Sequence, residues 1–193
     1  MYNKENWDEH YRSGNAPWNS DKPTRGLIDL VDSGKIKPCK VLELGCGTGT
    51  NAIYLISRGF SVTAIDIAKT ALIEAKEKAR KTNVSIDLVN SDILYFYSKT
   101  KYGFILDIGC FHYIEPQDRS IYIKNLEHHL KSDGKYYLNC FPFAISSCSP
   151  YGFAKSQIEN CFSNFKILEA IKSSPYNFDN YLDSYLLKKK TSS

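Results

Sequence analysis

The run Glu43-Leu44-Gly45-Cys46-Gly47-Thr48-Gly49 constrains this chain more than any other. It follows a β-rich stretch, Lys40 to Leu44, and precedes a helical pattern from Thr50 to Arg58, with Gly59 available as its C-cap. Glycines at a strand-to-helix turn allow positive φ and let a ligand approach the backbone closely. The helix start adds unpaired N–H groups and a partial positive charge. By itself such a turn suits a dinucleotide or another nucleoside cofactor, and two residues separate these. The dinucleotide fingerprint G-x-G-x-x-G/A would need Gly or Ala where Thr50 stands. Glu43 places a carboxylate ahead of the first glycine, where it would repel a pyrophosphate and welcome a cation. The balance favours a cofactor without phosphates.

Short β-rich runs continue to alternate with helical ones. Ser61 to Ile67 reads as a second strand, Lys69 to Lys81 as a helix with a solvated face, and Ser85 to Val89 as a third strand. Phe104 to Ile108 suits a central buried strand, Pro116 opens a helix running to about Lys131, and Lys135 to Phe141 is a fifth strand. Alternation of this kind predicts a doubly wound, mostly parallel α/β sheet of Rossmann type. Ser156-Gln157-Ile158-Glu159 reads as a capping box. Two last β-like stretches, Phe165 to Ile171 and Tyr181 to Lys188, flank the turn cluster Ser173 to Asn177 and predict a terminal hairpin. With 193 residues the chain suits one domain, with an N-terminal arm over 1–38 and a core over 39–193.

Charge and cysteine placement narrow the class. A net charge of +4 implies no strong phosphate-seeking field, so a nucleic-acid partner is not expected. There is no apolar run long enough to span a membrane, and the polar segment from Met1 to Asn6 does not read as a secretory signal. Cysteines at 39, 46, 110, 140, 148 and 161 form no Cys-x-x-Cys pair, so reduced, mostly buried thiols in a cytoplasmic protein are expected. Lys188-Lys189-Lys190 reads as a solvated terminus.

Two acids follow the loop at strand ends. Asp66 ends the second strand, where a carboxylate can accept both hydroxyls of a ribose or simply favour the start of the next helix. Asp92 ends the third strand, where it could accept from an adenine amine or close a turn.

Together, E-L-G-C-G-T-G, the acid in A-I-D-I, the acid in N-S-D-I and L-K-S-D-G-K before the fifth strand resemble a class I S-adenosylmethionine-dependent methyltransferase over residues 40 to 141. The terminal hairpin is similar to the reversed last strand of that fold. The resemblance implies a seven-stranded sheet and S-adenosylmethionine as cofactor, released as S-adenosylhomocysteine. It assigns the methionine end to Gly45, Cys46, Gly47, Thr48 and Gly49, the ribose to Asp66 and the adenine to Asp92, and Glu43, Asn51, Ile67 and Ile93 are placed with the cofactor beside them. L-K-S-D-G-K departs mildly from the family's L-K-P-G-G, at a turn. The opening Trp7 to Trp18 is similar to the W-x-x-x-Y/W-x-x-G-x-x-P-W start of the thiopurine, halide/thiol and tellurite-resistance methyltransferases, and Gly109-Cys110-Phe111-His112 resembles their G-x-F-H stretch.

Methyl transfer from a sulfonium needs mainly alignment and exclusion of water, and a soft anion such as a thiolate needs no strong base. His112, just past the fourth strand, is the candidate catalytic residue, as base or substrate anchor, with a structural histidine as the alternative. His10, His128 and His129 read as surface groups. Trp7 and Tyr11 lie four apart, so a short helix could turn both toward the cofactor or use them to staple the arm down. Trp18 is placed with the cofactor, and Tyr11, Phe111, His112 and Phe143 with the acceptor; Arg12 is either a carboxylate partner or an exposed group. Residues 142 to 155 read as a lid loop. No N/D-P-P-Y/F follows the fourth strand, Pro38-Cys39 precedes the first strand, and no metal trio is evident. Adenine-amine, cytosine-C5 and magnesium-dependent catechol chemistry are therefore disfavoured. A small-molecule acceptor is expected, with the chain a monomer or weak homodimer. The competing readings are an NAD(P)-dependent reductase and a non-catalytic module that binds S-adenosylmethionine.

Overall fold

Apolar β-rich runs form strands, and the Ala-, Glu- and Lys-rich stretches between them form helices, in the computed structural model, which describes residues 4–142, 152–171 and 182–190. In chain order these are α1 (Lys4–Arg12), α2 (Arg25–Asp32), β1 (Lys40–Leu44), α3 (Thr50–Ser57), β2 (Ser61–Asp66), α4 (Lys69–Lys81), β3 (Asp87–Asn90), β4 (Tyr102–Ile108), α5 (Arg119–His129), β5 (Leu130–Cys140), α6 (Lys155–Cys161), β6 (Phe165–Ile171) and β7 (Asp183–Lys189). The strands make a seven-stranded sheet in the order β3-β2-β1-β4-β5-β7-β6. Pairing is parallel for β1 with β2, β2 with β3 and β4 with β5, and antiparallel for β7 with β5 and with β6. The mostly parallel α/β sheet with a reversed last strand, β7, is therefore present. The last strand, β7, sits between β5 and β6, which leaves β6 at the edge.

Two compact units divide the chain, Met1–Phe96 and Tyr97–Ser193. In the first, Val41, Leu42, Leu44, Ala64 and Ile65 are buried along β1 and β2, as continuous apolar runs in a parallel sheet should be. Helix α4 turns Ala71, Leu72, Ala75 and Ala79 inward at helical spacing, mostly small side chains that allow close packing. In the second, Phe111, Tyr122, Tyr136, Phe162 and Phe165 build an aromatic core with ring centroids 4.9 to 6.5 Å apart.

Several expectations shift. The helix placed from Pro116 to Lys131 splits into a 3₁₀ turn, Pro116–Asp118, and α5, which stops at His129. Leu130 already pairs with Tyr102, so β5 starts there, with an irregularity before Lys135 joins Phe104. Ser156 is not the N-cap of α6. The cap is Ala154, whose backbone N–H donates to Gln157 Oε1 at 2.7 Å, half of a capping box. His129 is not a surface group. It is 3% exposed, accepts the Ser98 N–H on Nε2 and donates from Nδ1 to Asn125 O. Among the described residues Cys46 and Cys140 are buried, and Cys39, Cys110 and Cys161 are half-buried. The turn cluster 173–177, Phe143 and most of the 142–155 loop lie outside the described residues.

Candidate functional site

Gly45, Gly47 and Gly49 all take positive φ, at 66°, 53° and 77°. At Gly47 a Cβ would stand 2.8 Å from Tyr11 Oη, and at Gly49 3.1 Å from the Ala75 Cβ, so a side chain at either position would crowd a neighbour as well as strain φ. The Cys46 N–H donates to Ile65 O at 3.0 Å and ties the loop to β2. Asp66, 7% exposed, holds it from the same strand end. Its Oδ2 accepts the Gly47 N–H at 2.7 Å and its Oδ1 the Ala68 N–H at 2.8 Å. Burial raises its carboxyl above the usual range, while these N–H groups pull it back down. Asn90 Nδ2 donates to Asp66 O and Ile67 O, which fixes the backbone there.

Glu43 lies beneath the loop at 2% exposure. It is hydrogen-bonded to the Asn51 side chain and to the Ala52 N–H, both in the first turn of α3. Asn51 in turn accepts the Thr24 N–H at 2.9 Å. Glu43 Oε2 is buried with no hydrogen-bond partner, and burial, the largest cause, pushes the carboxyl up to about 8. A buried acid with one idle oxygen, beside a loop whose glycines leave its backbone bare, suits a close-lying ligand that carries a cation.

The N-terminal arm covers this loop. Trp18 Nε1 donates to Tyr11 Oη at 3.0 Å, and Trp7, His10 and Trp18 meet edge-on or tilted. Thr48 Oγ1 donates to Asn19 Oδ1 at 2.6 Å, Thr50 Oγ1 to Ser20 O at 2.7 Å, and Lys78 Nζ to both Asp21 Oδ1 and Thr48 Oγ1. Asp8 Oδ1 accepts the Thr70 N–H at 2.6 Å, so the arm caps α4, whose own N-cap, Ala68, has no side-chain acceptor. Tyr11, Trp18, Glu43, Gly47, Thr48, Asn51 and Asp66 thus come together in this unit. Sequence reasoning missed Asp8, Asn19, Lys78 and Asn90, for which no local pattern gives a signal. Arg12 pairs with the exposed Glu9 on its own helix. Asp92 and Ile93 are half-buried at the end of β3, and Asp92 Oδ1 accepts the Leu94 N–H at 2.9 Å, closing a turn.

Phe111 and His112 belong to the second unit. Phe111 is fully buried against Tyr122, Phe153 and Phe162, so its ring is taken up by the core rather than offered to an acceptor. His112, 2% exposed, packs against Tyr113 and Phe141 with centroids 4.5 and 4.4 Å away. Its Nδ1 accepts the Phe141 N–H at 3.4 Å, which assigns the ring proton to Nε2. Burial pulls its pKa down to about 3, so the ring is neutral at physiological pH. Among the described residues no group of three or more His, Cys, Asp or Glu could hold a metal ion, and no helix is long and apolar enough to cross a membrane.

A family model described as a methyltransferase domain matches residues 41–134. A probable thiol methyltransferase of Arabidopsis thaliana is 28% identical over 156 residues, covering 79% of this chain and 69% of that protein. An uncharacterized methyltransferase of Schizosaccharomyces pombe is 35% identical over 116 residues, covering 59% of this chain and 79% of its own length. The crystal structure of TehB from Haemophilus influenzae superposes with a TM-score of 0.70 at 24% identity, covering 95% of this chain and 67% of that one. The chain spans about half the length of the curated TehB relatives it matches.

Proposed function

Because the chain belongs to the class I S-adenosylmethionine-dependent methyltransferases, in the group that includes TehB and the thiol methyltransferases, we propose that it methylates a small soft nucleophile, a thiol first among them. We read residues 1–193 as one methyltransferase domain whose arm, 1–38, closes over the cofactor. The NAD(P)-dependent reductase reading is not favoured by this membership.

The residues fit S-adenosylmethionine. Glu43, with its idle buried oxygen, would take the cationic methionine end. Gly45 to Gly49 would let the ligand lie against the backbone, with Trp18 and Tyr11 above. Asp66 spends one acceptor direction of Oδ2 on the loop and one of Oδ1 on Ala68, and would keep others for ribose hydroxyls. Asp92 and Ile93 would border the adenine. The bound cofactor supplies an electrophilic methyl carbon on a sulfonium, open to in-line displacement.

One observation carries the choice of a soft acceptor. His112 is neutral, poorly basic and already accepting on Nδ1, so it acts as an Nε2–H donor that orients an anion rather than as a base. Such a site suits an acceptor that arrives ionised near neutral pH, as a halide or an acidic thiol does, while an amine or phenol would still need deprotonation.

The test is calorimetric titration with S-adenosylhomocysteine, followed by methylation of a panel holding 2-nitro-5-thiobenzoate, iodide, a primary amine and a phenol. We expect cofactor-product binding, with turnover of the thiolate or iodide. Absence of binding overturns the cofactor assignment. Binding with turnover of only the amine or phenol overturns the soft acceptor, and binding with no turnover points to a non-catalytic module.

A further inference from the structure

Asp107 is a carboxylate placed next to the last residue of an apolar strand. It is 0% exposed in β4, between Leu106 and Ile108. Leaving a carboxylate there is strongly unfavourable unless its lone pairs are used. Each oxygen is engaged in a different direction. Oδ1 accepts the Cys110 N–H at 2.9 Å and the Phe111 N–H at 3.3 Å. Oδ2 accepts the Tyr122 O–H at 2.5 Å, and Tyr122 Oη lies 2.9 Å from Tyr136 Oη. Since Tyr122 gives its proton to Asp107, Tyr136 donates to Tyr122, and the three residues form one directed chain.

The two N–H groups held by Oδ1 begin the 3₁₀ turn Phe111–Tyr113, and the residue in the N-cap position, Cys110, supplies no side-chain cap of its own. Asp107 therefore does from within the strand what a capping side chain would do from the turn. Phe111 anchors the turn on one side, stacked on Phe153 at 5.1 Å and against Phe162 at 4.9 Å. His112 is the next residue. With the Phe111 ring locked in the core and the Cys110 and Phe111 amides held on Asp107, these two anchors fix the backbone from which the imidazole extends, and the Phe141 N–H then holds the ring itself at Nδ1.

We propose that Asp107, held by Tyr122 and Tyr136, is a positioning residue that sets the orientation of His112 and through it the binding of the methyl acceptor. The acceptor half of this statement rests on the function proposed above; the turn-holding half does not. An asparagine at 107 keeps an Oδ1 for both amides and can donate to Tyr122 from Nδ2, so it is the conservative variant. A leucine removes every acceptor at nearly the same volume.

The experiment compares wild type, Asp107→Leu, Asp107→Asn and Tyr122→Phe by histidine ring NMR across pH, S-adenosylhomocysteine calorimetry and methylation of 2-nitro-5-thiobenzoate. In Asp107→Leu we expect the His112 ring to move from its buried, non-titrating position toward ordinary imidazole behaviour. KM for the thiolate should rise by roughly ten- to a hundred-fold, the scale of a misaligned reactant, with product binding within about two-fold of wild type. Asp107→Asn should restore the His112 signals and most of the KM, and Tyr122→Phe should fall between. If Asp107→Leu does not fold, Tyr122→Phe carries the same comparison. Variants that lose thermal stability but leave the His112 signals and KM at wild-type values overturn the proposal, since Asp107 would then be structural only. A wild type that binds the cofactor product and methylates no thiolate sinks the acceptor reading instead, and the NMR comparison still decides whether Asp107 orients His112.

Discussion

The backbone N–H of Gly47 donates to Asp66 Oδ2 at 2.7 Å, so the acid at the end of β2 is a structural support of the glycine loop before it meets any ligand. The second oxygen performs the same service for Ala68 at the entry to α4. One carboxylate thereby sets the spacing between the loop and the entry to α4.

Asp66→Ala should weaken S-adenosylhomocysteine binding by ~1.5–3 kcal/mol, the loss of charge-assisted hydrogen bonds. Because the loop also loses its support, amide exchange at Gly47 and Ala68 should accelerate in the same variant. Calorimetry and hydrogen exchange read the two effects separately, and unchanged exchange would contradict the support role.

At Gly47 two penalties coincide. An alanine there meets φ +53° and Tyr11 Oη at 2.8 Å. Gly47→Ala should cost about 1–2 kcal/mol for the left-handed backbone alone, with the clash added. Combining it with Tyr11→Phe removes the hydroxyl and should recover the clash but not the backbone part. A double-variant cycle on thermal melts gives the coupling, and strict additivity would mean that the arm does not rest on the loop.

Glu43 gives opposite pH trends for stability and for binding. Its folded-state pKa, about 8, lies above the ordinary 4.5, so the folded chain holds a proton that the unfolded chain has released across that window. Its contribution to stability is present at low pH and is lost as pH rises through about 8. The melting temperature of Glu43→Gln should therefore gain on wild type as pH climbs through that range. A cationic ligand favours the ionised acid, so wild-type affinity for S-adenosylhomocysteine should rise with pH toward 8 with proton release, and Glu43→Gln should lose this slope. Titrations in buffers of different ionisation enthalpy measure the proton directly.

The arm is docked by a cap that it supplies to another helix. Asp8→Ala should cost about 1 kcal/mol, the usual loss for an N-cap acceptor, and should expose residues 8–24 to limited proteolysis. Cleavage at the wild-type rate would show that the Thr70 contact does not hold the arm.

Much of the frame was legible because its causes are local. Strand β1 and helix α4 fall where the apolar run and the Ala-Glu-Lys periodicity place them, and the glycine loop falls between β1 and α3. Boundaries moved where a neighbouring strand pulled on them. Leu130 belongs to β5 because it pairs with Tyr102, a partner 28 positions away that no local pattern reveals. His129 was misread for the same reason. Its helix ends against Ser98, and a histidine that looks exposed on a polar helix finds both ring nitrogens engaged.

What the sequence determined by itself was the fold class and the glycine loop, because positive φ at glycine, strand alternation and helix periodicity are properties of adjacent residues. The tertiary structure alone decided the charge states and the supports. Glu43 keeps a proton because burial removes the water that would stabilise its anion. His112 stays neutral for the same reason with the opposite sign. Asp107 is tolerated because amides and a tyrosine hydroxyl from elsewhere in the fold surround it. Solvation and hydrogen-bond partners are set by residues distant in the chain, and only folding brings them to these side chains.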